Sequence, residues 1–221
     1  MNEYPGEINP YLSRYQKRPY EFLEEKGVLG PWFLGAHSLL LSEEEKELIR
    51  ERGVRICHCP FSNCGKAVPD TPSLLKKGIP VGLGTDGAAH GGLSIWNEMK
   101  IFRSVMNVTH GAPLAEPAVM PAKKILDIAV KGGAACLGEE PATIAVGKRA
   151  DLIGIDMDAP HLWIHGKISN TLLESVGAGD VKDMIVGGRF LMRNREILTL
   201  DEEKIRSGAL AFENGESRWS I

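Results

Sequence analysis

The chain has 221 residues, 43% of them hydrophobic and 25% charged, with a formal net charge of −3, the balance of a soluble globular protein able to bury a good core. Charges of both signs are interspersed without a Lys/Arg stripe, which argues against nucleic acid as a partner, and no run approaches the roughly 18 apolar residues of a membrane span. The start MNEYPGEINP lacks the basic-then-apolar pattern of a secretory signal, and four cysteines, three of them at 57, 59 and 64, make no disulfide framework, so the chain is expected in the cytoplasm.

Taken in order, RPYEFLEEKG predicts a short helix ending at Gly27, and WFLGAH (32–37) a buried strand with a histidine at its exit. Ser42 with Glu45 forms a capping box that opens the helix EEEKELIRERG, stopped by Gly53. VRICHCP is a second short strand ended by Pro60. Thr71 before Pro72 predicts the N-cap of a helix PSLLKKG, and Ile79 to Gly84 is the third buried strand. From Ser94, the spacing Ile95, Met99, Phe102, Met106 marks an amphipathic helix. Strand then helix, three times over, is the pattern of a parallel sheet with helical crossovers.

After about residue 140 the pattern turns to β, past helices around Pro121 to Leu137. ATIAVGKRADLIGIDM predicts two short strands about a Gly-Lys turn, and Gly187-Gly188 inside VKDMIVGGRFLMRN supplies the positive φ angles of a two-residue hairpin turn. A helix is expected after Thr199, with Glu202 completing its capping box. The expected domains are therefore 1–140 and 141–221.

In parallel α/β sheets, functional residues gather at the carboxyl ends of strands. Here the three strands end on His37, on Cys57-His58-Cys59 and on Asp86, the last followed by small residues that leave room for a metal and a substrate. Asp86 could equally cap its own turn, and a single histidine on an apolar strand could be a hydrogen-bonded core residue. Cys57, His58, Cys59 and Cys64 suggest a zinc cluster, but alternation on a strand turns His58 away from its neighbours, which favours buried thiols. His110, His161 and His165 receive no role.

The segments "FLGAHSLLLSEEE", "CHCPFSN", "GLGTDGAAHGGL", "VGKRADLIGID" and "ESVGAGDVKDMIVGGRFLMRNREIL" resemble, in order and spacing, the cytosine-deaminase-like, chlorohydrolase and S-adenosylhomocysteine-deaminase branch of the amidohydrolase superfamily. The resemblance implies an α/β fold, a (β/α)8 barrel joined to a small β-sandwich, of which this chain carries strands six to eight and part of the sandwich. It implies one Zn2+ or Fe2+ bound in part by Asp86, and a metal-dependent hydrolase acting on C–N or C–halide bonds of N-heterocyclic small molecules. Catalytic roles fall on Glu3, His37 and Asp86, and a substrate contact on Asn63; His90, just past Asp86, could line the substrate pocket or equally be a solvated loop residue.

The chain departs from that pattern in having no His-x-His pair, and Met1-Asn2-Glu3 meets the family's His-x-x-Glu motif one residue too late to include its histidine. A full barrel takes roughly 250 residues, so the chain is expected to be the C-terminal part of such an enzyme, inactive alone. It is expected to self-associate or to pair with a missing N-terminal half. The alternative is a catalytically silent structural or interaction module.

Overall fold

The computed structural model describes residues 1–87, 92–116, 118–140, 143–163 and 166–214. Their contacts divide them into two compact units, Met1–Ala142 with Ile164–Ala178, and Thr143–Trp163 with Gly179–Ile221. The segment 164–178 thus groups with the first unit, although the sequence boundary near 140 assigns it to the second. Leu173 explains this: it is fully buried in the first unit's core, and the indole of Trp96 donates to the Leu172 carbonyl at 2.9 Å.

The first unit opens with helices α1 (Pro5–Tyr15) and α2 (Pro19–Glu25). The sequence pattern did not predict α1: it contains Pro10, and a proline inside a helix removes a hydrogen bond. Next come β1 (Leu34–Ala36), α3 (Glu43–Arg52), β2 (Arg55–His58), the short α4 (Pro60–Asn63), α5 (Thr71–Lys76), β3 (Val81–Leu83) and α6 (Ile95–Met106). The strands lie parallel in the order β1-β2-β3, with Gly35 beside Ile56 and Ile56 beside Val81. On one side of this sheet Ile49, Ile56, Leu74, Val81, Phe102, Met106 and Ile125 form a core with almost no exposure.

Local chemistry explains the helix starts. Both halves of the α3 capping box form, Glu45 N donating to Ser42 Oγ at 3.2 Å and Ser42 N to Glu45 Oε2 at 3.1 Å, and Gly53 ends the helix at φ 66°. Ser94 caps α6 as expected. For α5 the cap is Asp70 rather than Thr71: the Asp70 carboxylate accepts from Ser73 N and also holds Lys46 at 2.6 Å, leaving Thr71 as the first helical residue.

Helices α7 (Ala122–Asp127) and α8 (Gly133–Leu137) are joined by a π-helical turn, Ile128–Gly132. This turn presses directly on β3: a Cβ built on Gly132 would lie 1.9 Å from the Val81 carbonyl oxygen. A one-turn helix, α9 (Ile168–Asn170), completes the unit.

In the second unit β4 (Leu152–Ile155), β5 (Val181–Val186), β6 (Arg189–Arg193) and β7 (Glu196–Ile197) form one antiparallel sheet in sequence order. Gly187 (φ 57°) and Gly188 (φ 78°) make the expected two-residue turn. Of the two strands expected about Gly147-Lys148, only the second forms. Ile144 and Val146 are fully exposed, at 88% and 106%, so no face is buried to hold them extended. The described residues of this unit contain this single sheet and no second layer of a sandwich. The final helix, α10 (Glu202–Glu213), is capped by Asp201, whose carboxylate accepts from Lys204 N at 2.9 Å, in place of the expected Thr199. No helix among the described residues is long and apolar enough to cross a membrane.

Candidate active site at the strand ends

The backbone of Met1 and Asn2 runs beside the exit of β1. Met1 N donates to Ala36 O at 3.1 Å, Ser38 N to Met1 O at 2.9 Å and Leu40 N to Asn2 O at 2.9 Å. This places Glu3 next to His37, the residue after β1. His37 stands at φ 64° and Asp86, three residues past β3, at φ 55°. The left-handed region costs a non-glycine residue on the order of 1–2 kcal/mol, so two strained residues flank the same strand ends.

Asn63 closes α4 and links these groups. Its Oδ1 accepts from Cys59 N at 3.0 Å, which fixes the amide so that Nδ2 donates to His37 Nδ1 at 2.9 Å and to Glu3 Oε1 at 3.3 Å. His37 Nδ1 is therefore an acceptor, and its proton sits on Nε2, 4.0 Å from Asp86 Oδ2. His37 Nδ1 also lies 3.3 Å from Glu3 Oε1. Asp86 Oδ2 accepts from Ser62 Oγ at 2.7 Å, and its Oδ1 from Gly87 N at 2.8 Å.

Glu3, His37, Asn63 and Asp86 thus come together in the structure; His90 lies outside the described residues. Two participants were not foreseen. Lys66 Nζ sits 2.5 Å from Glu3 Oε1 and 3.4 Å from Ser62 Oγ. A serine just before Asn63 and a lysine three residues after it are the only sequence signal for them.

The electrostatics are unequal for the two histidines. The His37 pKa is raised, chiefly by its hydrogen bond with Cys59, with burial opposing and the Glu3 charge assisting. His58 is completely buried, its Nδ1 donating to His37 O at 2.7 Å, and burial pushes it down to about 4. The Cys59 hydrogen bond lowers the Cys57 thiol, while that same bond and burial raise Cys59. Both sulfurs face Gly84, at 3.0 and 3.5 Å from where its Cβ would stand, while His58 points into the core. Cys64 is exposed, and among the described residues no three His, Cys, Asp or Glu side chains gather to hold a metal.

Asp86 is subject to the same limit. A catalytic zinc takes three protein ligands and an open position, whereas both Asp86 oxygens accept protein hydrogen bonds and His37 Nε2 stands off at 4.0 Å. The described residues do not compose a metal centre by themselves. A cavity of about 500 Å³ opens on α6 and the 64–69 loop, lined by Val68, Phe102, Val105 and Val108. It is largely apolar and shares only Asn63 and Lys66 with the cluster.

The acid–histidine–acid cluster lies at the carboxyl ends of parallel strands, where α/β folds carry their functional residues. The chain belongs to the amidohydrolase family, whose model matches residues 8–191. It is 38% identical over 206 residues to the 5'-deoxyadenosine deaminase of Methanosarcina acetivorans, covering 92% of this chain and 47% of that protein. To the 5-methylthioadenosine/S-adenosylhomocysteine deaminase of Syntrophobacter fumaroxidans it is 36% identical, covering 93% and 47%. Among solved structures it resembles an adenosine deaminase from Xanthomonas campestris with bound zinc (TM-score 0.89, 26% identity, 97% of this chain and 49% of that one). In fold it also matches a zinc-bound atrazine chlorohydrolase from Arthrobacter aurescens (TM-score 0.83, 24% identity, 94% and 46%). The chain spans about half the length of the curated relatives it matches.

Proposed function

We propose that this chain carries the C-terminal part of the catalytic machinery of a hydrolytic deaminase acting on an amino-substituted N-heterocycle, an adenine nucleoside above all. The observation that carries the reading is the placement of His37 between two carboxylates, 3.3 Å from Glu3 and 4.0 Å from Asp86, at the ends of parallel strands. The deaminase names of the relatives support it, and the relation to chlorohydrolases leaves C–halide hydrolysis as a neighbouring chemistry. The three-stranded sheet corresponds, in this reading, to strands six to eight of a (β/α)8 barrel, and the four-stranded sheet to part of a β-sandwich.

Asp86 is proposed as one ligand of a divalent ion, Zn2+ or Fe2+, whose other ligands come from chain outside the described residues. Zinc-bound neighbours support the choice of metal. The roles of this chain's own side chains follow from their geometry. Asp86 accepts the proton of the attacking water. His37 Nε2–H hydrogen-bonds to the oxygen that gains charge as water adds to the ring carbon. Glu3, entering protonated, gives its proton to the heterocycle, takes up the hydroxyl proton of the adduct and passes it to the departing amine, and solvent returns to Glu3 the proton held by Asp86, so that water and the aminated ring yield the carbonyl and ammonia with both acids restored. Asn63 orients Glu3 and His37, and His90 is proposed to line the substrate pocket.

The incomplete ligand set favours a second reading, a silent module that pairs with other chains. Self-association cannot supply the missing ligands, because every copy lacks a His-x-His pair. The test is zinc and iron content per chain after expression in supplemented medium, with and without the N-terminal half of a related deaminase and with an Asp86→Ala control, followed by ammonia release from 5'-deoxyadenosine. The chain alone is expected to be nearly metal-free and inactive. Pairing should bring one metal per complex that Asp86→Ala abolishes. A paired complex that stays metal-free would leave the silent module as the function.

A further inference from the structure

We propose that Lys66 is a positioning residue: its ammonium clamps one oxygen of Glu3 and, through Ser62, the carboxylate of Asp86, holding both acids at fixed places on either side of His37. The inference rests on the proposed hydrolytic reading for its catalytic meaning, but the clamp itself is a matter of geometry. A lysine ammonium has three protons and no acceptor. One reaches Glu3 Oε1 at 2.5 Å and another Ser62 Oγ at 3.4 Å. A serine hydroxyl has a single proton, and Ser62 donates it to Asp86 Oδ2 at 2.7 Å. Because Ser62 takes from Lys66 and gives to Asp86, the chain of donors runs one way, from the cation to the second carboxylate.

The same count singles out the working oxygen of Glu3. Asn63 Nδ2, at 3.3 Å, joins Lys66 on Oε1. Two donors converge on Oε1, while among the described residues no hydrogen bond falls on Oε2. Oε1 is the held oxygen, and Oε2 is left to exchange a proton with a substrate. A carboxylate proposed to shuttle a proton has to present one lone pair in one direction, and a misplacement of about 1 Å can cost on the order of a hundredfold in rate. Lys66 is only 34% exposed and Glu3 10%, so the pair is partly shielded. Glu3 and Lys66 are 63 residues apart, so the clamp also pins the N-terminal segment to the loop after α4.

Two variants separate positioning from mere packing. Lys66→Met keeps the length and removes the donors, whereas Lys66→Arg keeps a cation able to reach both oxygens. The first measurement is made on the full chain without metal or substrate: the nitrogen resonances of the Asn63 side-chain amide and the His37 ring. With Lys66→Met both should shift, because Asn63 becomes the sole donor to Glu3 Oε1, and Lys66→Arg should restore them. The second measurement is deamination of 5'-deoxyadenosine by the zinc-loaded chain paired with the N-terminal half. Lys66→Met should lower kcat at least tenfold with KM within twofold, and Lys66→Arg should recover it to within threefold. Unmoved resonances would overturn the clamp whatever the activity. Shifted resonances with unchanged kcat would overturn the positioning role. An unmutated complex that releases no ammonia would sink the deaminase reading, while the resonances would still decide whether Lys66 clamps the two acids.

Discussion

Glu45 shows how much a single buried carboxylate organises. It has no exposed surface, yet it accepts from Ser42 N at 3.1 Å, Arg18 Nε at 2.8 Å, Asn2 Nδ2 at 3.0 Å and Tyr20 N at 3.3 Å. Helix cap, N-terminal segment and α2 therefore share one acceptor. Removing it strands several buried donors and leaves Arg18 without its partner, the situation in which a broken buried pair costs about 3–5 kcal/mol. Glu45→Ala should lose stability by that amount in urea unfolding. Ser42→Ala, which removes only the cap hydroxyl, should lose about 1 kcal/mol. Comparable losses for the two would mean that Glu45 acts only as a cap. Because Asn2 precedes Glu3 in the chain, Glu45→Ala should also loosen the proposed proton shuttle without touching it.

At the scale of elements, the π-helical turn lies tight against β3. A methyl on Gly132 would sit 1.9 Å from Val81 O and 3.4 Å from Gly82 Cα, backbone atoms that cannot step aside as a side-chain tip would. Gly82 in turn faces Cys136 Sγ at 2.8 Å from its own would-be Cβ. Gly132→Ala should therefore displace the turn from the strand and cost at least the 1–3 kcal/mol of an overpacked core. The chemically identical Gly133→Ala, where a Cβ meets nothing within 4 Å, should be neutral or slightly stabilising, since alanine favours helix. Thermal unfolding of the two single variants checks this, and equal melting temperatures would contradict the close contact.

The same elements show where sequence reading succeeds. The three strands, the α3 capping box and the Gly187-Gly188 turn were legible because each is set by neighbours within a few residues. His37 and Asp86 stood out in the sequence because they follow buried strands, and Asn63 and Glu3 only through the family resemblance. Lys66 was not legible, since its role exists only once the fold brings Glu3 to it. The strand expected before Gly147 failed for a related reason: Ile144 and Val146 have the right residue types but no surface to cover. The caps of α5 and α10 went to aspartates one residue before and two residues after the expected positions. A carboxylate accepts the helix N–H groups more strongly than a threonine hydroxyl does.

For the whole molecule, proton linkage gives a stability curve whose parts can be separated. His58 is completely buried, with a folded value near 4 against an ordinary 6.5. Between these values the unfolded chain binds the proton and the folded chain does not. Stability is therefore intact above pH 6.5 and falls as the pH drops toward 4, by about 3 kcal/mol at about 1.4 kcal/mol per pH unit of separation. His37 has the opposite sign. Its raised value adds stability that is fully present below 6.5 and is lost only as the pH rises through its folded value. The depressed carboxylates start from 3.8 (Asp70, Asp127, Asp151) or 4.5 (Glu25, Glu43, Glu44, Glu47), so their contributions fade only from about the lower edge of the His58 window downward. Between pH 6.5 and about 4.5 the slope thus belongs mainly to His58. His58→Asn retains a donor for the His37 carbonyl but cannot titrate. It should be less stable than the parent at pH 7, because the smaller side chain underfills its site beside Phe102, yet it should lose little more on acidification to 4.5. Urea unfolding at pH 7, 6, 5 and 4.5 measures both effects. A variant that kept the parent's full acid slope would place the titrating group elsewhere and leave His58 as a residue that binds its proton alike in the folded and unfolded chain.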